Sequence, residues 1–364
     1  MAFTITLLIL LSFSVFIFFN LPKFGRRPNG SRLEKIKKAH NYKDGQFQNI
    51  SFTPDLAEDA TYYKVLKEFF FGKSKRNNPK DIIPSVKSDL KNLDPNQDIL
   101  VWFGHSSYFM QLSGKTFLVD PVFSNSASPL SYTVNAFKGS NVYNAENLPE
   151  IDFLIITHDH WDHLDFKTIL KLKTKTKRII TTLGTGQHFE RWKFDLNTIT
   201  EMNWYEEIDL GFDFKLNSVP ARHFSGRGLK RNKAIWASFI LNTPNKRIYI
   251  GGDSGYDTFF KTIGEQFGPF DLAILECGQY DKNWKYIHMM PEETVQASKD
   301  LNAKVLLPVH WAKFPLALHA WDDPIIRVVK AAEIENMQLV HPMIGEILNF
   351  DNLKNSKKWW KEVE

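Results

Sequence analysis

Between Thr157 and His163 the chain reads Thr157-His158-Asp159-His160-Trp161-Asp162-His163, a His-x-His-x-Asp-His pattern in which His158, His160, Asp162 and His163 can all bind a transition metal. Imidazole nitrogens suit zinc, and a carboxylate adds a hard oxygen ligand. Scattered loop histidines do not crowd in this way. The pattern follows Ile151-Asp152-Phe153-Leu154-Ile155-Ile156, an Ile-rich run that fits a strand buried on both faces. Ligands placed just after such a strand sit on a loop held by a rigid base. Three further candidates each follow an apolar, strand-like run: His223 after Val219-Pro220, Asp253 after Ile248-Tyr249-Ile250-Gly251-Gly252, and His310 after Val305-Leu306-Leu307-Pro308-Val309.

The elements that must position these groups are legible in outline. The chain has 364 residues, of which 43% are hydrophobic, enough for one large domain or two ordinary ones with a sizeable core. A net charge of +5 is a mild excess without the dense basic stripe of a nucleic-acid binder, and no nucleic-acid partner is expected. The single cysteine, Cys277, excludes an intrachain disulfide framework and reads as a small core residue. Strands are expected at 99–104, 108–112, 116–119, 151–156, 178–182, 214–219, 237–241, 247–250, 272–275 and 305–309, with a hairpin turning at Ser113-Gly114. Helices are expected at 166–172, 256–267 and 291–301, the last opened by Pro291 with Glu292 and Glu293 in its first turn. That mixture suits two sheets covered by helices.

The N-terminal part reads differently. Residues 3–19 are almost wholly apolar, with no Lys or Arg before them and no small-x-small cleavage site after them. Lys23, Arg26, Arg27, Arg32, Lys35, Lys37 and Lys38 follow. By the positive-inside rule this predicts an uncleaved transmembrane anchor over residues 1–21, with the catalytic domain on the cytoplasmic side. Residues 22–97 read as a polar connector with short helices. One of these, over 56–71, ends in Phe69-Phe70-Phe71, which are expected to pack inside or at an interface. The catalytic domain then covers 98–350, and 351–364 form a charged tail.

The His-x-His-x-Asp-His motif after its strand resembles the signature of the metallo-β-lactamase superfamily. The resemblance implies an α/β fold, an αββα sandwich, carrying two metal ions. It implies one metal held by His158, His160 and His223, a second by Asp162, His163 and His310, and Asp253 as the bridge. Two zinc ions (Zn2+) are the first choice for so nitrogen-rich a set, with iron or manganese as alternatives. Several further stretches are similar to the N-acyl-phosphatidylethanolamine phospholipase D branch and its bacterial relatives. They include Trp102-Phe103-Gly104-His105-Ser106-Ser107, Leu118-Val119-Asp120-Pro121, Gly252-Asp253-Ser254-Gly255-Tyr256, His288-Met289-Met290-Pro291 and Pro308-Val309-His310-Trp311. Trp161 departs from the Tyr common in those relatives, at a position that is not a ligand. The resemblance implies cleavage of the distal phosphodiester of an N-acylated phospholipid by a metal-bridging hydroxide, with the membrane as partner through the N-terminal helix. It also implies that His288 contacts substrate or protonates the leaving group. Arg222 and Arg227, which flank His223, are candidates for pairing with phosphate; the alternative is surface charge and a core ion pair. His105 reads as an outer partner of the metal ligands. Two other functions fit the same residues: a lactonase or other ester hydrolase, and a membrane-tethered protein that keeps metal without catalysis.

Overall fold

The computed structural model describes residues 2–354 and 357–364. In chain order its helices are α1 (Ala2–Phe19), α2 (Gly30–Lys37), α3 (Tyr62–Phe71), α4 (Phe166–Leu172), α5 (Gly186–Arg191), α6 (Phe259–Phe267), α7 (Pro291–Asp300) and α8 (Asp323–Ile334). Two short strands, β1 (Tyr42–Lys43) and β2 (Gln46–Phe47), form a hairpin of their own. The first large sheet takes β3 (Ile99–Trp102), β4 (Tyr108–Leu112), β5 (Lys115–Val119), β6 (Ile151–Ile156), β7 (Thr176–Thr182) and β8 (Ile199–Met202). The second takes β9 (Glu207–Gly211), β10 (Phe214–Val219), β11 (Ser238–Asn242), β12 (Arg247–Ile250), β13 (Leu272–Glu276), β14 (Val305–Val309) and β15 (Gln338–Leu339). The chain returns to the first sheet with β16 (Ile347–Asn349), which pairs with β3.

The orders are β16-β3-β4-β5-β6-β7-β8 and β15-β14-β13-β12-β11-β10-β9. In each sheet an antiparallel half meets a parallel half: β5–β6–β7–β8 run parallel, as do β12–β13–β14–β15. The two-residue alternation of a strand divides β6 between two cores. Phe153 and Ile155 face the core between the sheets, whereas Leu154 and Ile156 face the layer under α4 and α5. Phe117 of β5 stacks on Phe153 at 5.0 Å and meets Phe214 of the opposite sheet at 5.6 Å. On the far side of the second sheet lie Phe260 and Ile263 of α6, Val295 of α7, and Ile325 and Val328 of α8. The result is helices, sheet, sheet, helices. All the predicted strands are present, and β8, β9 and α8 are among the elements that add to them.

Four expectations are corrected. α1 forms, but eighteen residues at about 1.5 Å each give roughly 27 Å, short of a hydrocarbon core of about 30 Å. No helix among the described residues is long and apolar enough to cross a membrane. The stretch read as a connector is built into the domain: Ile36 and Phe47 are fully buried, and Asn49 holds the backbone of His223 through both its N–H and its C=O. Phe70 and Phe71, expected to pack inside or at an interface, are exposed and so do not pack inside. The C-terminal tail is also part of the core, because Trp359 is buried and stacks on Trp311 at 5.3 Å. Its charged residues masked that aromatic pair, Trp359-Trp360, in the sequence.

Candidate metal centre

Every candidate ligand leaves the C-terminal end of a strand, the end at which open α/β sheets gather their sites. His158, His160, Asp162 and His163 follow β6, His223 follows β10, Asp253 follows β12, and His310 follows β14. Two backbone features allow this convergence. A Cβ on Gly252 would lie 2.4 Å from the carbonyl oxygen of Ala237, so only glycine lets the chain bring Asp253 this far in. His105 and His310 sit at φ +53° and +70°, a conformation costly for residues with side chains. The His105 carbonyl accepts from the His310 N–H at 3.0 Å, and the His105 N–H donates to the Trp311 carbonyl at 2.9 Å. These bonds lock the two loops together.

The nitrogens of the first triad converge. His158 Nε2 lies 2.9 Å from His160 Nδ1, and His223 Nε2 lies 3.1 Å from the same atom. The other ring nitrogens show why lone pairs face inward. His223 Nδ1–H donates to the Ile287 carbonyl at 2.9 Å. Thr157 donates its hydroxyl to Asp120 at 2.6 Å, so its oxygen is left to accept from His158 Nδ1–H at 3.1 Å. Burial pushes His158, His160 and His223 below the usual histidine range, so they stand neutral.

Asp253 lies between this triad and the second group. Its carboxylate is 3.9 Å from His158, 3.8 Å from His223, 3.2 Å from His163 and 3.3 Å from His310. Asp162 stands 3.5 Å from His163 and accepts from His105 Nε2 at 2.9 Å. His310 Nδ1 is 2.8 Å from Ser106 Oγ. Burial alone would lower His163, but the charges of Asp253, Asp162 and Asp120 outweigh it and hold the ring well above its usual range. His163 Nε2 is buried with no hydrogen-bond partner among the described residues. An orphaned imidazole nitrogen in a negative field, beside three neutral imidazoles aimed at one point, fits divalent transition-metal ions.

The structure therefore brings all seven predicted ligands together. His288 joins them, its ring 5.0 Å from that of His223 and 5.2 Å from that of His310. Arg222 and Arg227 do not join them. Arg222 is held by Thr53 Oγ1 and the carbonyls of Phe52 and Tyr256. Arg227 is buried, lies 3.9 Å over Trp161, and donates to the carbonyls of Asp159, Leu164 and Lys23. Both are clamps on the backbone around the centre, so the expected phosphate role is corrected. The arginine that lines the cleft is Arg231, half exposed over Phe224 at 4.5 Å.

Two acids escaped the sequence reading. Asp120 accepts from the Thr157 N–H at 2.9 Å and from His163 Nδ1 at 2.7 Å, orienting both the metal loop and one ring. Glu276 is buried, meets His288 Nδ1 at 2.6 Å, and accepts from the Ser254 N–H at 2.7 Å. The available signal was the same one that marked Asp253: an acid closing an apolar strand run. The neighbouring Cys277 is buried, as expected, and burial pushes its thiol up.

Lys313 also went unnoticed. It is wholly buried and donates to the carbonyls of Phe103, at 3.1 Å, and Val122, at 2.9 Å. It thereby ties the loop before His105 to the loop after Asp120. Burial pushes it down to about 7, and two donated bonds are all that a neutral amine can make. Its folded value lies below the unfolded one near 10.5, so between these limits the unfolded chain binds one more proton and stability rises with pH. Below pH 7 both states are charged and the cost of burial is constant. From pH 7 to 9 the wild type should gain about 2 kcal/mol more stability than Lys313→Met. Urea unfolding of the two proteins at both pH values checks this, and equal slopes would mean that Lys313 is charged in the fold.

The fold and this centre define a metal-dependent hydrolase of the αββα type. The chain belongs to the metallo-β-lactamase superfamily, and the beta-lactamase superfamily domain matches residues 115–311. It is 33% identical over 329 residues to an uncharacterized protein of Mycobacterium tuberculosis, covering 89% of this chain and 88% of that protein. It is 32% identical over 229 residues to N-acyl-phosphatidylethanolamine-hydrolyzing phospholipase D 1 of Caenorhabditis elegans, covering 59% of this chain and 64% of that one. Among solved structures, Igni18, a metallo hydrolase of Ignicoccus hospitalis, superposes with a TM-score of 0.55 at 21% identity, over 70% of this chain and 98% of that one.

Proposed function

We propose that this chain cleaves the distal phosphodiester of an N-acyl-phosphatidylethanolamine-type phospholipid, releasing phosphatidic acid and an N-acylethanolamine, with two zinc ions in its centre. The observation that carries this reading is the cleft over the centre. Its volume is about 430 Å³, and Leu56, Val65, Phe224, Trp284 and Leu316 wall it down to His160, Asp162 and Asp253. Such walls suit acyl chains, with polar groups such as Asn49, Asp55, Arg231 and Gln279 set among them. The similarity to a worm enzyme named for this activity supports the same substrate class. The apolar α1 and the basic residues behind it support work at the cytoplasmic surface of a membrane.

His158, His160 and His223 would hold one ion, and Asp162, His163 and His310 the other, with Asp253 between them. Ions so held polarise the phosphoryl oxygens and lower the pKa of water. Hydrolysis adds one water across the phosphorus–oxygen bond: its oxygen goes to phosphorus, and the leaving oxygen needs a proton. His288 Nδ1 is engaged by Glu276, which leaves Nε2 to hold that proton. Arg231 at the rim takes the phosphate-pairing role. Asp120→Ala is expected to weaken metal binding by roughly 10- to 100-fold, because it frees the rings of His163 and, through Thr157, His158. Competition with a chromophoric chelator measures it.

The decisive experiment gives the metal-loaded chain an N-acyl-phosphatidylethanolamine and, separately, an acyl lactone. Release of phosphatidic acid supports the proposal. Lactone opening alone would replace it with a lactonase.

A further inference from the structure

A second and larger cavity, of about 690 Å³, lies outside the metal cleft, between the C-terminal half of α1, residues 24–29 and residues 226–234. Its two sides differ in chemistry. Val15 and Phe16 of α1, both well exposed, form an apolar wall with Phe19. Opposite stand Arg26, Arg27, Arg191, Arg227, Lys230 and Lys233, against Asp159 as the one lining carboxylate. Some of these cations are committed: Arg26 pairs with Glu190, Arg191 donates to the Asn20 carbonyl, and Arg227 holds the metal loop. Arg27, Lys230 and Lys233 form no ion pair among the described residues, although Lys233 donates to the Gly45 carbonyl. Lys230 and Arg27 both stand close enough to Lys233 to add to the burial that lowers it. Uncompensated cations crowded beside an apolar wall lack a ligand that is anionic at one end and apolar at the other.

We propose that this cavity binds the phosphate headgroup of an anionic phospholipid, with the phosphate on Arg27, Lys230 and Lys233 and the acyl chains along Val15 and Phe16. A phosphate oxygen relieves the repulsion among the three cations, and the acyl chains cover α1 side chains that otherwise meet water. The site is distinct from the metal cleft. Lys230 lines this cavity and its neighbour Arg231 lines the other, so one short loop separates the two. It stands whichever ester the centre hydrolyses. Its floor meets the metal loop directly, because Asp159, adjacent to His160, accepts from the Gly226 N–H at 2.7 Å and is 3.1 Å from His188 Nε2. His188 Nδ1 in turn accepts from the Arg26 N–H at 3.2 Å. A lipid seated here therefore fixes the orientation of the metal cleft relative to the membrane surface.

The test uses the full chain in nonionic detergent, titrated calorimetrically with dihexanoyl phosphatidic acid and with inorganic phosphate. Because the metal centre also takes phosphates, the reading is the difference from the double variant Arg27→Gln, Lys230→Gln, whose metal content should be unchanged. The lipid should bind the variant roughly 10- to 30-fold more weakly. Inorganic phosphate should lose by a similar factor, but should bind the wild type far more weakly than the lipid does, having no chain to lay on α1. Val15→Ser, Phe16→Ser, which keeps the cations, should weaken the lipid alone. Equal lipid binding by the chain and the cation variant overturns the site. Equal affinity of the wild type for lipid and phosphate, or lipid binding unchanged in Val15→Ser, Phe16→Ser, reduces it to a free-phosphate site and overturns the acyl part.

Discussion

Replacing Asp253 with Ala should lower turnover by on the order of a thousandfold or more and leave the fold standing. The reason is geometric. Among the described residues Asp253 is the carboxylate within 4 Å of both ligand groups, with His158 and His223 on one side and His163 and His310 on the other. A carboxylate has two oxygens and can face two ions, whereas a neutral imidazole has one lone pair to give. Without it the two sets become separate, weaker sites. The fold should tolerate the loss, because burial works against the carboxylate and raises its pKa. Nor does the core between the sheets depend on it. Metal content should fall from about two ions per chain, measured by mass spectrometry, while circular dichroism is retained. Normal turnover in Asp253→Ala would remove it from the centre.

That ligand set was visible in the sequence because each member closes an apolar run, and a buried strand leaves few directions for the residue that follows. The parts that were not visible depend on distance in space. Asp120 lies 43 residues from His163, and Glu276 lies 12 residues from His288. Each looked like an ordinary strand end until the sheets brought the partners together. The arginines failed for the opposite reason. Closeness to His223 in sequence suggested phosphate, yet Arg222 and Arg227 point into backbone carbonyls on either side of the loop. Arg231, eight positions beyond His223, is the residue that lines the cleft. The N-terminal ninety-odd residues misled through composition. Their Pro, Gly and Asn gave no period, but α3 and Asn49 close one side of the cleft. A wall of this kind needs only a few apolar contacts, too few to stand out in a polar stretch.

His288→Ala should lower turnover by roughly 10²- to 10³-fold with metal content unchanged, which separates it from Asp253. The ring leans on His223 and His310, and Glu276 at 2.6 Å fixes its tautomer and tilt. Burial lowers it from the usual histidine value, while Asp253 and Asp162 pull it back. Its role as proton donor predicts a substrate dependence that a structural role does not. With a leaving group of low pKa, such as p-nitrophenol, the departing oxygen needs little help and His288→Ala should lose much less. Glu276→Gln should show the same pattern at smaller size, since it acts by positioning His288. The ratio of rates on the two leaving groups, measured for the wild type and both variants, decides the matter. An equal loss on both would make His288 a structural support of the metal ligands, and loss of metal would make it a ligand.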